Sequence, residues 1–142
     1  MIDELYSREI LRRTTQLKHV GCLDAPDGQA DRVSKLCGSS IHVEVKMDGD
    51  RIADFAQQVE ACALGQTSAA ILSQTVIGAS MEEIRAGRDS LRALLNGEAA
   101  DIPERFNDLR ILESVKDFPA RHTSTLLAWE ATLAAIGAAQ QK

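Results

Sequence analysis

The sequence predicts an α+β fold, with helices packed on one face of a small antiparallel β-sheet. Three features carry that expectation. Residues 41–48 alternate strictly between apolar and polar side chains, Asp48-Gly49-Asp50 marks a tight turn, and beyond Leu64 the apolar spacing changes from the period of a strand to that of a helix. With 142 residues the chain, 1–142, is expected to form one domain with a single core.

Residues 2–18 read as a helix, because Ile2, Leu5, Tyr6, Ile10 and Leu17 share a face. Gly21, Pro26, Asp27 and Gly28 interrupt regular structure, so 20–34 is expected to be loop or a short edge strand. Ile41, Val43, Val45 and Met47 then alternate with His42, Glu44, Lys46 and Asp48, the pattern of a half-buried strand. Gly49 supplies the positive φ that a hairpin turn requires. The return strand spans 51–61, with Ala53, Phe55, Val59 and Ala61 expected inward, and the polar Gln57 falling among that apolar set. Leu64, Ile71, Leu72 and Val76 define a helix that Gly78 stops. Ser80 and Glu83 form a capping-box signature for the next helix, which runs to Leu95 and ends at Asn96-Gly97. Residues 98–118 read as a mixed connection, in which Pro103 starts a short helix and Leu109, Ile111, Leu112 and Val115 form a short packed segment. A last helix over 121–138 carries the stripe Leu126, Trp129, Leu133 and Ile136.

Composition narrows the function classes. The net charge is −5, which argues against a nucleic-acid surface, since such surfaces need a basic excess. No run of about 18 apolar residues offers a membrane span, and the acidic start Met-Ile-Asp-Glu-Leu-Tyr does not read as a secretory leader. Three cysteines are few and odd in number, which favours reduced thiols and a cytoplasmic location over a disulfide framework.

Those cysteines are the features that point most directly at chemistry. Cys37 and Cys62 bracket the hairpin, and Cys62 lies where a strand gives way to a helix. Backbone N–H groups at a helix start favour anions, so a thiolate there is stabilised relative to a free thiol. Residue physics alone leaves both an inert and a reactive reading open for Cys37 and Cys62; Cys22, between Gly21 and Leu23, reads as inert. Two thiols do not complete a tetrahedral zinc site. Candidates for the remaining positions are His122, Ser39 and Ser124, with Glu60, His42 and His19 behind them. No phosphate-binding glycine loop and no His-Glu-x-x-His zinc motif is present.

At these residues the chain resembles the IscU/NifU-type iron–sulfur cluster assembly scaffolds, particularly their SufU-like branch. The resemblance runs through Tyr6 and the first helix, Val20-Gly21, Cys37-Gly38, the Asp48-Gly49 hairpin, and Cys62 followed by Ser68 and Ala69. It resumes at Phe118-Pro119-Ala120-Arg121 and Leu127-Ala128-Trp129. Such scaffolds present three cysteines and an aspartate at one end of a small sheet. Cys37 and Cys62 match the first two cysteines. Ser39 stands where the family has the aspartate, Ser124 stands where it has the third cysteine, and His122 is offset by one position from the family's histidine.

The resemblance implies a scaffold or sulfur carrier rather than an enzyme. Cys62 would be the reactive acceptor and Cys37 its partner ligand, holding a transient iron–sulfur cluster or a zinc ion. Ser39, His122 and Ser124 would line the same pocket. The implied partners are a cysteine desulfurase, apo iron–sulfur proteins and a second copy in a homodimer. Two alternatives remain: an adaptor module that has lost the metal chemistry, and a zinc-dependent sulfurtransferase of the SufU kind.

Overall fold

The computed structural model describes residues 8–35 and 38–140; Cys37, like Ile2, Leu5 and Tyr6, lies outside them. Three antiparallel strands in the order β1-β2-β3 form the sheet: β1 Gly28–Ser34, β2 Ser39–Asp48 and β3 Arg51–Glu60. Among the described residues four α-helices accompany it: α1 Arg8–Arg13, α2 Ala63–Gln74, α3 Met81–Leu95 and α4 His122–Gln140. At its C-terminal end the first helix gives way after Arg13 to a 3₁₀ turn at Thr14–Gln16, so α-helical geometry stops before Leu17.

The last helix organises the core. α4 packs against β1 and β2 on one side and against α2 and α3 on the other. Its apolar stripe is therefore only part of what it buries, since Ala128, Ala131 and Ala135 are buried as well. Small residues let the sheet approach closely. At Gly28 of β1 a Cβ would lie 2.1 Å from the Ala135 carbonyl oxygen, so no larger residue fits there. Trp129 is fully buried, donates its indole N–H to the Ser68 hydroxyl at 2.9 Å, and meets the Phe106 ring edge-on at 4.8 Å. The Ser80–Glu83 capping box forms in both directions, with hydrogen bonds of 3.1 and 3.2 Å.

Two local outcomes depart from the sequence pattern. Residues 28–34, expected as loop or short edge strand, form a full edge strand of seven residues. In β3, Ala53 is exposed and Ile52 is buried, the reverse of the expected alternation. The pairing explains this: Lys46 faces Asp54 and Met47 faces Ile52, which leaves Ala53 as an unpaired bulge that inverts the side-chain parity. Residues 104–117 follow the expectation more closely: helical structure starts after Pro103, as two 3₁₀ stretches joined by a kink at Phe106, and Leu109, Leu112 and Val115 are buried.

Gln57 is completely buried on the inner face of β3. Its side chain donates to the Lys18 carbonyl at 2.9 Å, and its backbone pairs with His19 and Gly21. Residues 18–21 thus run along the outer edge of β3, with Val20 forming a parallel bridge to Gln57. Beyond β1, no further strand pairs among the described residues.

Candidate functional site

Three segments meet at the end of the sheet where β2 starts and β3 stops. Ser39 opens β2, Cys62 is the residue before α2, and Ser124 lies in the first turn of α4. The Ser39 and Ser124 hydroxyl oxygens are 3.0 Å apart, and both residues are buried to 1% exposure. The Ser124 Oγ lies 3.5 Å from the Cys62 Sγ, within hydrogen-bond reach for sulfur. The sequence places these residues far apart along the chain; the fold joins them in one line of polar atoms.

Gly65 makes that meeting possible. A Cβ there would come within 2.8 Å of the Ala61 Cβ, 3.0 Å of the Ser124 Oγ and 3.3 Å of the Ser124 carbonyl oxygen. The missing side chain lets the first turn of α2 lie directly against the start of α4.

Cys62 is half-buried, its backbone extended at the N-cap position of α2. Burial works against its thiolate. The Ser124 hydroxyl, the N–H groups of Gly65 and Leu64, and the positive charge of Arg121 outweigh burial and draw its pKa below the ordinary thiol value. Once the sulfur is ionised it only accepts, so the single Ser124 proton goes to it. The Ser124 oxygen is then left to accept from Ser39. The result is a chain of two hydroxyls ending on the Cys62 sulfur. Ser34, paired across the strands with Ser39, holds a further buried hydroxyl that has no hydrogen-bond partner among the described residues.

The other candidates sit elsewhere. His122 donates from Nε2 to the Val115 carbonyl at 3.0 Å, tying α4 to the 3₁₀ segment. His42 lies on the opposite face of the sheet, with Nδ1 2.8 Å from Asp31 and Nε2 2.8 Å from Glu44. Its pKa is raised, chiefly by the Glu44 hydrogen bond, against the opposing effect of burial and with a further contribution from Asp31. Glu60 is exposed at the end of β3. His19 packs its ring against Phe55. Cys22 is exposed, its sulfur 3.1 Å from the Gln58 amide nitrogen. Arg121 and Ser34 were not singled out for a role by residue type. The signal for Arg121 is its position one helical turn before Ser124; the signal for Ser34 is strand register, which only the fold reveals.

The donor set bears on whether zinc could reside here. Structural zinc takes four protein ligands, and catalytic zinc three plus an open position, drawn from thiolate, imidazole and carboxylate. Among the described residues no three His, Cys, Asp or Glu side chains converge. The atoms that do converge are one thiol and two neutral hydroxyls bonded to each other. These described donors do not fit a resident zinc ion.

A three-stranded antiparallel sheet with helices packed on it defines an α+β domain, and this chain belongs to the NifU-like N-terminal domain family, whose model matches residues 5–124. Its relatives include iron–sulfur cluster assembly scaffolds and a zinc-dependent sulfurtransferase. It is 28% identical to the iron–sulfur cluster assembly scaffold protein IscU of Streptococcus pyogenes serotype M1, over 95% of this chain and 84% of that one. It is 26% identical to the zinc-dependent sulfurtransferase SufU of Bacillus subtilis, over 92% of this chain and 88% of that one. Among solved structures it resembles the nitrogen-fixing NifU-like protein (N-terminal) of Brucella abortus. That similarity has a TM-score of 0.94 and 40% identity, and covers 99% of this chain and 98% of the other.

Proposed function

We propose that this chain is a cytoplasmic sulfur-accepting scaffold for iron–sulfur cluster assembly, with Cys62 as the acceptor. The observation that carries this reading is the Cys62 sulfur itself: half-buried, 3.5 Å from a buried hydroxyl, and favoured as a thiolate by its surroundings. The donor is a cysteine desulfurase carrying a persulfide. The Cys62 thiolate attacks the outer sulfur of that persulfide, and a new S–S bond forms at Cys62. The donor's S–S bond breaks, its cysteine leaves as a thiolate, and the transferred sulfur keeps its proton. The sulfur moves between two thiols without net oxidation or reduction.

Cys37 is the partner thiol for cargo. It precedes by two residues the Ser39 whose hydroxyl meets Ser124. An iron–sulfur cluster built there is substrate, passed on to apo iron–sulfur proteins. Two copies of the chain would offer two such thiol pairs.

Desulfurase, cysteine and the reduced chain are incubated without oxygen, and Cys62 is examined by peptide mass spectrometry. A gain of one sulfur atom at Cys62, lost in Cys62→Ala, is expected. Adding iron should then give a visible charge-transfer band that Cys37→Ala and Cys62→Ala each abolish. A chain that takes up neither sulfur nor iron, yet folds normally in both variants, would leave the adaptor reading standing instead.

A further inference from the structure

We infer that hydrogen bonds here replace a metal ion: the Ser39–Ser124–Cys62 line fastens β2, α2 and α4 together, and the chain works without resident zinc. The second half of this inference rests on the sulfur-acceptor reading above.

The geometry supports a direct fastening. Ser39 and Ser124 occupy the two positions at which the family resemblance places an aspartate and a cysteine. Their oxygens are 3.0 Å apart, a hydrogen-bond distance. Two oxygens bound to one zinc at about 2.0–2.2 Å in a tetrahedron would stand roughly 3.3–3.6 Å apart. The pair has therefore closed on itself. The same contact also connects the segments that a shared ion would connect, since each serine belongs to a different element and Ser124 reaches on to Cys62.

Polar satisfaction points the same way. Both serines are buried to 1%, so each hydroxyl needs a partner, and each finds it in the other. The neighbouring Ser34 hydroxyl is the exception, without a partner among the described residues, but it too is a neutral oxygen rather than a carboxylate or imidazole. Neutral hydroxyls keep their protons at neutral pH and are weak competitors for zinc beside thiolates and imidazoles. His122, the nearest imidazole in sequence, spends its Nε2 on the Val115 carbonyl.

Metal content and thermal unfolding of the purified full chain test this, with zinc chloride and then a chelator as the probes. The wild-type chain should retain almost no zinc after dialysis, and its Tm should be the same with zinc, without zinc and with chelator. Sulfur loading of Cys62 by the desulfurase should survive chelation undiminished. Ser124→Ala should lower the Tm by a few degrees whether or not zinc is present. The double variant Ser39→Asp, Ser124→Cys should gain one zinc per chain and acquire a Tm that zinc raises and chelator lowers; Ser124→Cys alone serves if the double variant does not fold.

One tightly held zinc per wild-type chain, with a Tm that falls on chelation, would overturn the inference. So would variants that fold yet bind no zinc, because the serines would then not be what excludes it. Failure of Cys62 to take sulfur in any metal state would instead remove the sulfur-acceptor reading, with the metal titration still deciding whether hydrogen bonds hold this end together.

Discussion

Cys62 and Cys22 are the same side chain in two very different settings. Cys62 stands where three elements converge, with a buried hydroxyl at 3.5 Å, helix N–H groups ahead of it and Arg121 nearby. Cys22 is exposed on the loop before β1, with the Gln58 amide as its polar neighbour at 3.1 Å. Accessibility alone would favour Cys22. What distinguishes Cys62 is that its surroundings stabilise the anion while leaving the sulfur reachable, the combination that nucleophilic thiols need.

The strongest way to break this contrast is to exchange the thiols. Cys62→Ser should abolish sulfur acceptance from a desulfurase, and Cys22→Ser should leave it intact, read as the gain of one sulfur atom by mass spectrometry. Equal losses in the two variants would erase the distinction.

Next comes the packing that positions Cys62. Gly65→Ala forces a Cβ against Ala61 and Ser124, and overpacking of this kind costs about 1–3 kcal/mol. The expected readout is a lower urea midpoint together with slower sulfur loading. Beside Cys22, Gly21→Ala meets no atom within 4 Å and suffers only the strain of its φ of +142°. It should therefore leave the loading rate unchanged.

Alkylation with iodoacetamide sharpens the comparison further. The thiolate is the reactive form, so Cys62 should modify at a lower pH than an ordinary thiol, whose pKa is about 8.5. Ser124→Ala removes a hydrogen bond that favours the anion and should move the Cys62 profile to higher pH. Peptide mapping follows each site separately.

The smallest effect lies on the Cys22 side. Glu44 accepts the Leu23 N–H at 2.8 Å and also holds His42, so the loop carrying Cys22 is tied to the His42 cluster. The raised His42 pKa stabilises the fold fully below the unfolded value of about 6.5, and that stabilisation is lost as pH rises through the folded value. Glu44 contributes in the opposite sense. Its pKa is lowered, first by the Leu23 N–H and then by His42, so its stabilisation is present above the ordinary carboxylate range and lost as pH falls. His42→Gln should flatten the decline in urea midpoint above pH 6.5 and leave sulfur loading at Cys62 untouched.

The sequence made β2, the capping box of α3 and the turn at Gly49 legible, because each depends on residues close together in the chain. The two serines stand out in the sequence only through the family positions they occupy, where an aspartate and a cysteine are expected. Other features depended on contacts that local periodicity does not encode. β1 has few apolar residues to announce it, and it exists because it pairs with β2 on one side and lies under α4. Gln57 is buried as a polar residue because its amide and backbone serve residues 18–21 across the fold. The Ala53 bulge comes from strand register, and no hydropathy pattern reports it. His122 looked available as a ligand until the 3₁₀ segment at 104–117 supplied a carbonyl for it. The direct bond between Ser39 and Ser124 was likewise invisible, since 85 positions separate them.

The strip of chain at residues 18–21 that lines β3 also limits how copies of this molecule could join edge to edge. It already occupies backbone groups on one flank of the sheet, which among the described residues leaves the β1 flank as the place where a foreign strand could add. A body with a single adhesive flank stops growing once two such flanks have met. Strand addition would therefore end in a closed, two-fold pair and could not propagate into a filament.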